Sequence, residues 1–130
     1  MPRVPEDLVL TADESVTEAQ RLLDDGLPFA AHEVLEGAWK AAPGAERQLW
    51  RALAQLAVGL THAQRGNARG AVALLSRAAG ILDSWPGPVP AELDVGALGR
   101  WAGALAGRIE HAGTGSLRST DLRARLRHPG

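Results

Sequence analysis

The chain contains no cysteine and no tyrosine, and only one phenylalanine. The missing cysteines exclude a disulfide framework, thiolate metal ligation and a cysteine nucleophile. No apolar run approaches the length of a membrane span. The opening stretch MPRVPEDLVL lacks the long apolar h-region of a signal peptide. Together these absences lead us to expect a soluble, cytoplasmic protein that does not engage membranes. Net charge is −1, which argues against a general nucleic-acid binder. No G-x-S-x-G, Walker or Rossmann pattern occurs, so no enzyme class is assigned, and no cofactor is expected.

What remains is a helix-forming sequence. Its 130 residues suit one domain with a single core, and its 45% apolar content leans on Ala and Leu. Both residues lose little side-chain freedom in a helix, whereas β-branched residues are sparse. The expected fold class is all-α: a compact bundle of about five helices, arranged as two antiparallel hairpins plus a C-terminal helix.

The first helix is expected over Ser15–Asp25, opened by a Ser15/Glu18 capping box and stopped by Gly26. The second starts at Pro28, suited to a first helical turn, and ends near Ala41 before Pro43-Gly44. The third covers about Ala45–Arg65, with Leu49, Leu53, Leu56 and Leu60 on one stripe. Asn67 caps the fourth. The proline-rich stretch Trp85–Pro90 cannot continue a helix. A fifth helix follows Asp94, with Leu98, Trp101, Ala102, Leu105 and Ile109 on one face. Trp39, Trp50 and Trp101 read as core residues, and Trp85 as a clamp on the proline linker.

This reading divides the chain into an N-terminal extension (1–14), a helical domain (15–112) and a basic tail (113–130), expected to be poorly ordered apart from a short helix around Leu122 and Leu126. The ends carry opposite charge. Residues 1–25 hold seven acids (Glu6, Asp7, Asp13, Glu14, Glu18, Asp24 and Asp25) against Arg3 and Arg21, and the tail holds Arg118, Arg123, Arg125 and Arg127 against Asp121. Opposite charge allows the two ends to attract each other, within the chain or between chains, but the preferred expectation is two solvated termini. Gly26, Ala31, Leu35 and Ala38 recur 40 residues on as Gly66, Ala71, Leu75 and Ala78. The pattern resembles the second helix of a tetratricopeptide hairpin, but two copies are too few for a free-standing solenoid. Two ordinary helix pairs in close contact account for it.

The second helix is apolar almost all round except for one stripe: His32, Glu33, Glu36 and Lys40. Its neighbour offers Gln48, Arg51, Gln55 and His62 on one side. With the turn centred near Pro43, Gln55 is expected opposite His32 and Arg51 opposite Glu36, giving a polar seam. The same register sets His62 roughly 12 Å along the axis from His32, too far to share an ion, and pairs it with Asp24 or Asp25. His32-Glu33-x-x-Glu36 also has Glu where a His-Glu-x-x-His metalloprotease has its second histidine, so no metal is expected. Acid–base chemistry at His32 lacks a nucleophile and an oxyanion donor. At the next corner, Arg65, Asn67 and Arg69 surround the start of a helix, a candidate anion site. A glycine C-cap joined to an asparagine N-cap explains Gly66 and Asn67 equally well.

Pro28-Phe29-Ala30-Ala31-His32-Glu33-Val34-Leu35-Glu36, then Trp39, Gln55-Leu56-Ala57-Val58, His62 and Arg65-Gly66-Asn67-Ala68-Arg69-Gly70-Ala71 together resemble the domain of unknown function 309 family. The resemblance covers roughly residues 15–110, with Ala54 where the family pattern often has Gly. It implies a compact bundle of four or five helices of a kind found widely in prokaryotes, and no established activity. It carries over His32, Glu33, Glu36, Trp39, Gln55, His62, Gly66 and Asn67 as family-like positions. Two functions follow as expectations. One is a non-enzymatic domain that binds a protein partner or itself as a homo-oligomer. The other is an enzyme or a binder of a small ligand or metal, using the His32/Glu36 cluster.

Overall fold

A computed structural model describes residues 10–128 as five α-helices joined by short turns. They are α1 (Ala12–Asp24), α2 (Pro28–Ala41), α3 (Arg47–Gln64), α4 (Ala68–Asp83) and α5 (Val95–Ala112). Each packs mainly on its neighbours in sequence, α1 on α2 through to α4 on α5. The result is the expected all-α bundle, with no strand among the described residues. The acids Glu6 and Asp7, and Arg3, lie outside the described residues.

Local chemistry explains the helix ends. Asn67 and Asp94 cap α4 and α5 by accepting from the backbone N–H of Gly70 and Ala97. The start of α1 differs from expectation: Thr11, not Ser15, is the cap. Its hydroxyl accepts from Glu14 N, and Glu14 Oε1 accepts from Thr11 N. The sequence holds two consecutive capping-box patterns, Thr11/Glu14 and Ser15/Glu18. The upstream one prevails because it frees Ser15 to become a buried helical residue. Glu18 instead pairs with Arg21.

Two turns repeat the same geometry 40 residues apart. Gly26 and Gly66 take φ of +74° and +81°, a region costly for any residue with a Cβ. After each, the next residue bonds back five positions: Leu27 N to Leu22 O, and Asn67 N to His62 O. These are paired Schellman motifs, and they fold α1–α2 and α3–α4 into similar hairpins. Ala31, Leu35, Ala71 and Leu75 are fully buried on the matching faces.

The core is built from α3, where Leu49, Leu53, Leu56 and Leu60 are all inaccessible to solvent. Truncating any one of them to Ala costs roughly 2–5 kcal/mol. Gly59 lets α4 approach. A Cβ there would sit 2.9 Å from Leu75 Cγ and 3.2 Å from its backbone N. Trp50 is buried and donates to Glu46, while Trp39 and Trp101 pack half-buried at the margin of the core. Trp85 donates to the Pro88 carbonyl at 2.9 Å, so it does clamp the proline linker.

The segment after α5 departs most from expectation. It is not a separate tail, and the short helix expected around Leu122 and Leu126 is a 3-10 helix over Ser119–Leu122 that stops before Leu126. A short 3-10 turn (Ser119–Leu122) packs on α3, and the chain then runs extended to α1. Ala124 and Leu126 are fully buried, and Arg123 and Arg125 are exposed. That alternation is the period of an extended strand with one apolar face. The oppositely charged ends meet rather than remain apart: Arg127 forms an ion pair with Asp13.

Candidate functional site

The unusual polar residues gather on the outer face of α2. Pro28 at the first turn fixes where this helix begins, and 3.6-residue periodicity then puts Phe29, His32, Glu33, Glu36 and Lys40 on one side. These residues line a shallow depression of about 290 Å³. His32 Nε2 lies 3.0 Å from Glu36 Oε2, and Lys40 Nζ lies 3.1 Å from Glu36 Oε1. The Lys40 ammonium, through its hydrogen bond and its charge, holds the Glu36 carboxyl below its usual range, with a smaller contribution from His32. The Phe29 and His32 rings are tilted, 5.5 Å apart between centroids.

The expected seam is only partly present. Glu36 is held by residues of its own helix, and Arg51 lies over the Trp39 ring, 6.0 Å from its centroid. Arg51 and Glu36 therefore do not pair as expected. The cause is the 3-10 turn Gly44–Glu46, which delays the start of α3 to Arg47 and moves the hairpin's midpoint beyond Pro43. Farther along, Gln64 donates to Gly26 O and Arg65 lies 5.8 Å from the Phe29 centroid. Two buried polar atoms, His32 Nδ1 and Gln55 Oε1, have no protein hydrogen-bond partner.

His62 does not join this face. Its Nδ1 lies 3.0 Å from Asn67 Nδ2, and its ring sits 2.9 Å from where a Gly70 Cβ would be. The expected aspartate partners are engaged elsewhere, Asp24 with Gln20 and Asp25 with Arg21. His62 thus braces the α3–α4 corner. Asn67 is committed to Gly70 and His62, Arg65 lies over Phe29, and Arg69 is exposed. The corner is built as a helix cap, and its two arginines do not converge there. Among the described residues, no group of three His, Cys, Asp or Glu side chains is close enough to hold a metal ion.

Sequence reasoning missed two features of this face. Leu27 and Phe29 stand 50% and 48% exposed at the start of α2. Helical periodicity places Phe29 on the side of Glu36 but does not tell its exposure, and Leu27 precedes the helix. The second is the flanking of the face by arginine–aromatic pairs, Arg65 on Phe29 and Arg51 on Trp39. The signal for the second lay in Arg51, which the expected register assigns to Glu36, and in Arg65, a candidate for the anion site at the next corner.

Among known families, the model described as "Domain of unknown function (DUF309)" matches residues 16–74. That span contains α2, α3 and every residue of the face described above. No curated protein and no solved structure matches the chain. No helix among the described residues is long and apolar enough to cross a membrane.

Proposed function

Over residues 16–74 the chain belongs to the family described as domain of unknown function 309; that description names no activity, and we propose that the chain is a non-enzymatic protein-interaction domain that docks a protein partner on the outer face of α2. One observation carries this reading: Phe29, a large apolar side chain about half exposed, stands on the outer face of α2 with Arg65 over its ring, and Leu27, also half exposed, immediately precedes the helix. Aromatic residues and arginine dominate the energetics of protein interfaces, so a half-exposed ring with an arginine over it suits a docking surface. Glu33, Glu36 and Lys40 then form a polar rim along the same stripe.

Light scattering and a pull-down with the purified chain test this reading. The intact chain is expected to capture a partner or to self-associate, and Phe29→Asp to lose that binding while keeping its helical spectrum. A strict monomer that captures nothing, or a Phe29→Asp chain that binds undiminished, would count against it.

A second reading has its own observation. The orphaned His32 Nδ1 and Gln55 Oε1 are buried polar atoms of the kind that a bound small molecule satisfies. This reading makes the chain a small-ligand binder at the α2–α3 seam. It expects a ligand-induced rise in melting temperature that His32→Ala abolishes without unfolding the protein. A His32→Ala chain that is merely less stable, with no ligand effect, would assign His32 a structural role.

A further inference from the structure

At the far end of α2 from Phe29 the bundle holds a second hollow, more enclosed than the depression on the outer face. It lies where α1 begins, α2 ends and α3 begins, and its volume is about 130 Å³. The chain turns there through Pro43 and the 3-10 turn Gly44–Glu46. Short side chains leave the space open: Ala38, Ala41 and Ala42 line it beside Pro43.

The remaining wall is polar. Ser15 is 2% exposed, and its hydroxyl makes no hydrogen bond among the described residues. Glu46 is half-buried, and its Oε1 accepts from the indole N–H of Trp50 at 3.2 Å. Trp50 itself is 1% exposed. No basic side chain lines the hollow, and among the described residues none forms an ion pair with Glu46. Glu18, Glu36 and Asp121, by contrast, each meet a basic side chain.

A buried hydroxyl without a partner costs free energy, and so does a carboxylate held against apolar walls without a counter-charge. A positive group carrying several N–H donors satisfies both, through hydrogen bonds that charge strengthens. The alanines accept an apolar body. A dry cavity of about 150 Å³ takes benzene, so a ligand of roughly four to six non-hydrogen atoms suits this space.

We infer that this hollow is a binding site for a short primary alkylammonium. The ammonium donates to the Glu46 carboxylate and the Ser15 hydroxyl, and the alkyl body lies against Ala38, Ala41 and Ala42. The site shares no residue with the outer face of α2, so neither assignment rests on the other.

The full-length chain is titrated with n-butylammonium at constant chloride, and the indole N–H signals are followed by NMR. The Trp50 signal reports on the site because that N–H is bonded to Glu46. A saturable shift is expected at Trp50 and not at Trp39. Butan-1-ol has the same shape without the charge, and it should bind at least about tenfold more weakly. Glu46→Gln keeps an acceptor for the indole and is expected to lose this preference. Ala41→Leu fills the hollow and should abolish binding of both probes. The comparison of ammonium with alcohol is made on the intact chain, so it stands even where a variant does not fold. A lysine side chain ends in the same group, so Nα-acetyl-lysine methylamide is titrated alongside. The tighter of the two amines tells a free ligand from a lysine of a partner protein. No saturable shift at Trp50, equal binding of the alcohol, or a folded Glu46→Gln chain that keeps the full preference overturns the inference.

Discussion

Gln20 accepts a hydrogen bond from the backbone of Leu126, 106 residues away, and through the same amide group donates one to Ala124. Together with Arg127, which reaches Thr17 and Asp13, this side chain ties the first helix to the segment that follows the last. Gln20→Ala would leave the Ala124 carbonyl and the Leu126 N–H without these partners in a partly buried site. The expected cost is about 1–3 kcal/mol, read by urea unfolding. The Leu126 amide should exchange faster than the amides of α3. Equal protection in both chains would mean that the segment is held without Gln20.

The glycines of the helices should divide in sign. A Cβ at Gly59 would press on Leu75, side chain and backbone alike, so Gly59→Ala is expected to destabilise by about 1–3 kcal/mol. Gly107 is exposed on α5, and a Cβ there meets nothing within 4 Å. Gly107→Ala should therefore stabilise by roughly 0.5–1 kcal/mol through helix propensity. Thermal unfolding of the pair checks both signs.

Asn67 serves two neighbours at once, capping α4 through Gly70 N and meeting His62. Asn67→Ala is expected to cost about 1 kcal/mol, and Asn67→Ser to recover most of it because serine also caps. If serine recovers nothing, the His62 contact outweighs the cap.

The Glu36 carboxyl is held below its usual range chiefly by Lys40. A group whose folded pKa is depressed contributes stability above its unfolded pKa and loses it as pH falls through the folded one. The Glu36 contribution is thus expected to be full at neutral pH and to fade below the ordinary carboxylate range. The carboxylate is 36% exposed, so water screens it, and the effect should be only a few tenths of a kcal/mol. Denaturant unfolding from pH 6 down to pH 2 should show a shallower acid limb for Glu36→Gln than for the intact chain.

Much of the fold was legible because the signals were local. Pro28, Asn67 and Asp94 mark helix starts, and Gly26 and Gly66 mark turns that require positive φ. What escaped was non-local. The register of α2 on α3 depends on how the chain winds through Gly44–Glu46, and one residue of slack there moves every facing pair. The closing segment escaped for a different reason. Leu122, Ala124 and Leu126 alternate with arginines at a period of two, but a stretch so rich in charge reads as a solvated tail. The α2 stripe was visible as a His–Glu pattern, while the exposure of Phe29 depends on where α3 ends.

The most direct test of the account replaces Glu33 with a photo-crosslinking residue in the living cell, with Ser76 on the exposed side of α4 as the control position. Adducts to a protein partner are expected from position 33 and not from position 76, and Phe29→Asp should remove them. No adduct from position 33, or equal adducts from both positions, would contradict the assignment of the α2 face as the binding surface.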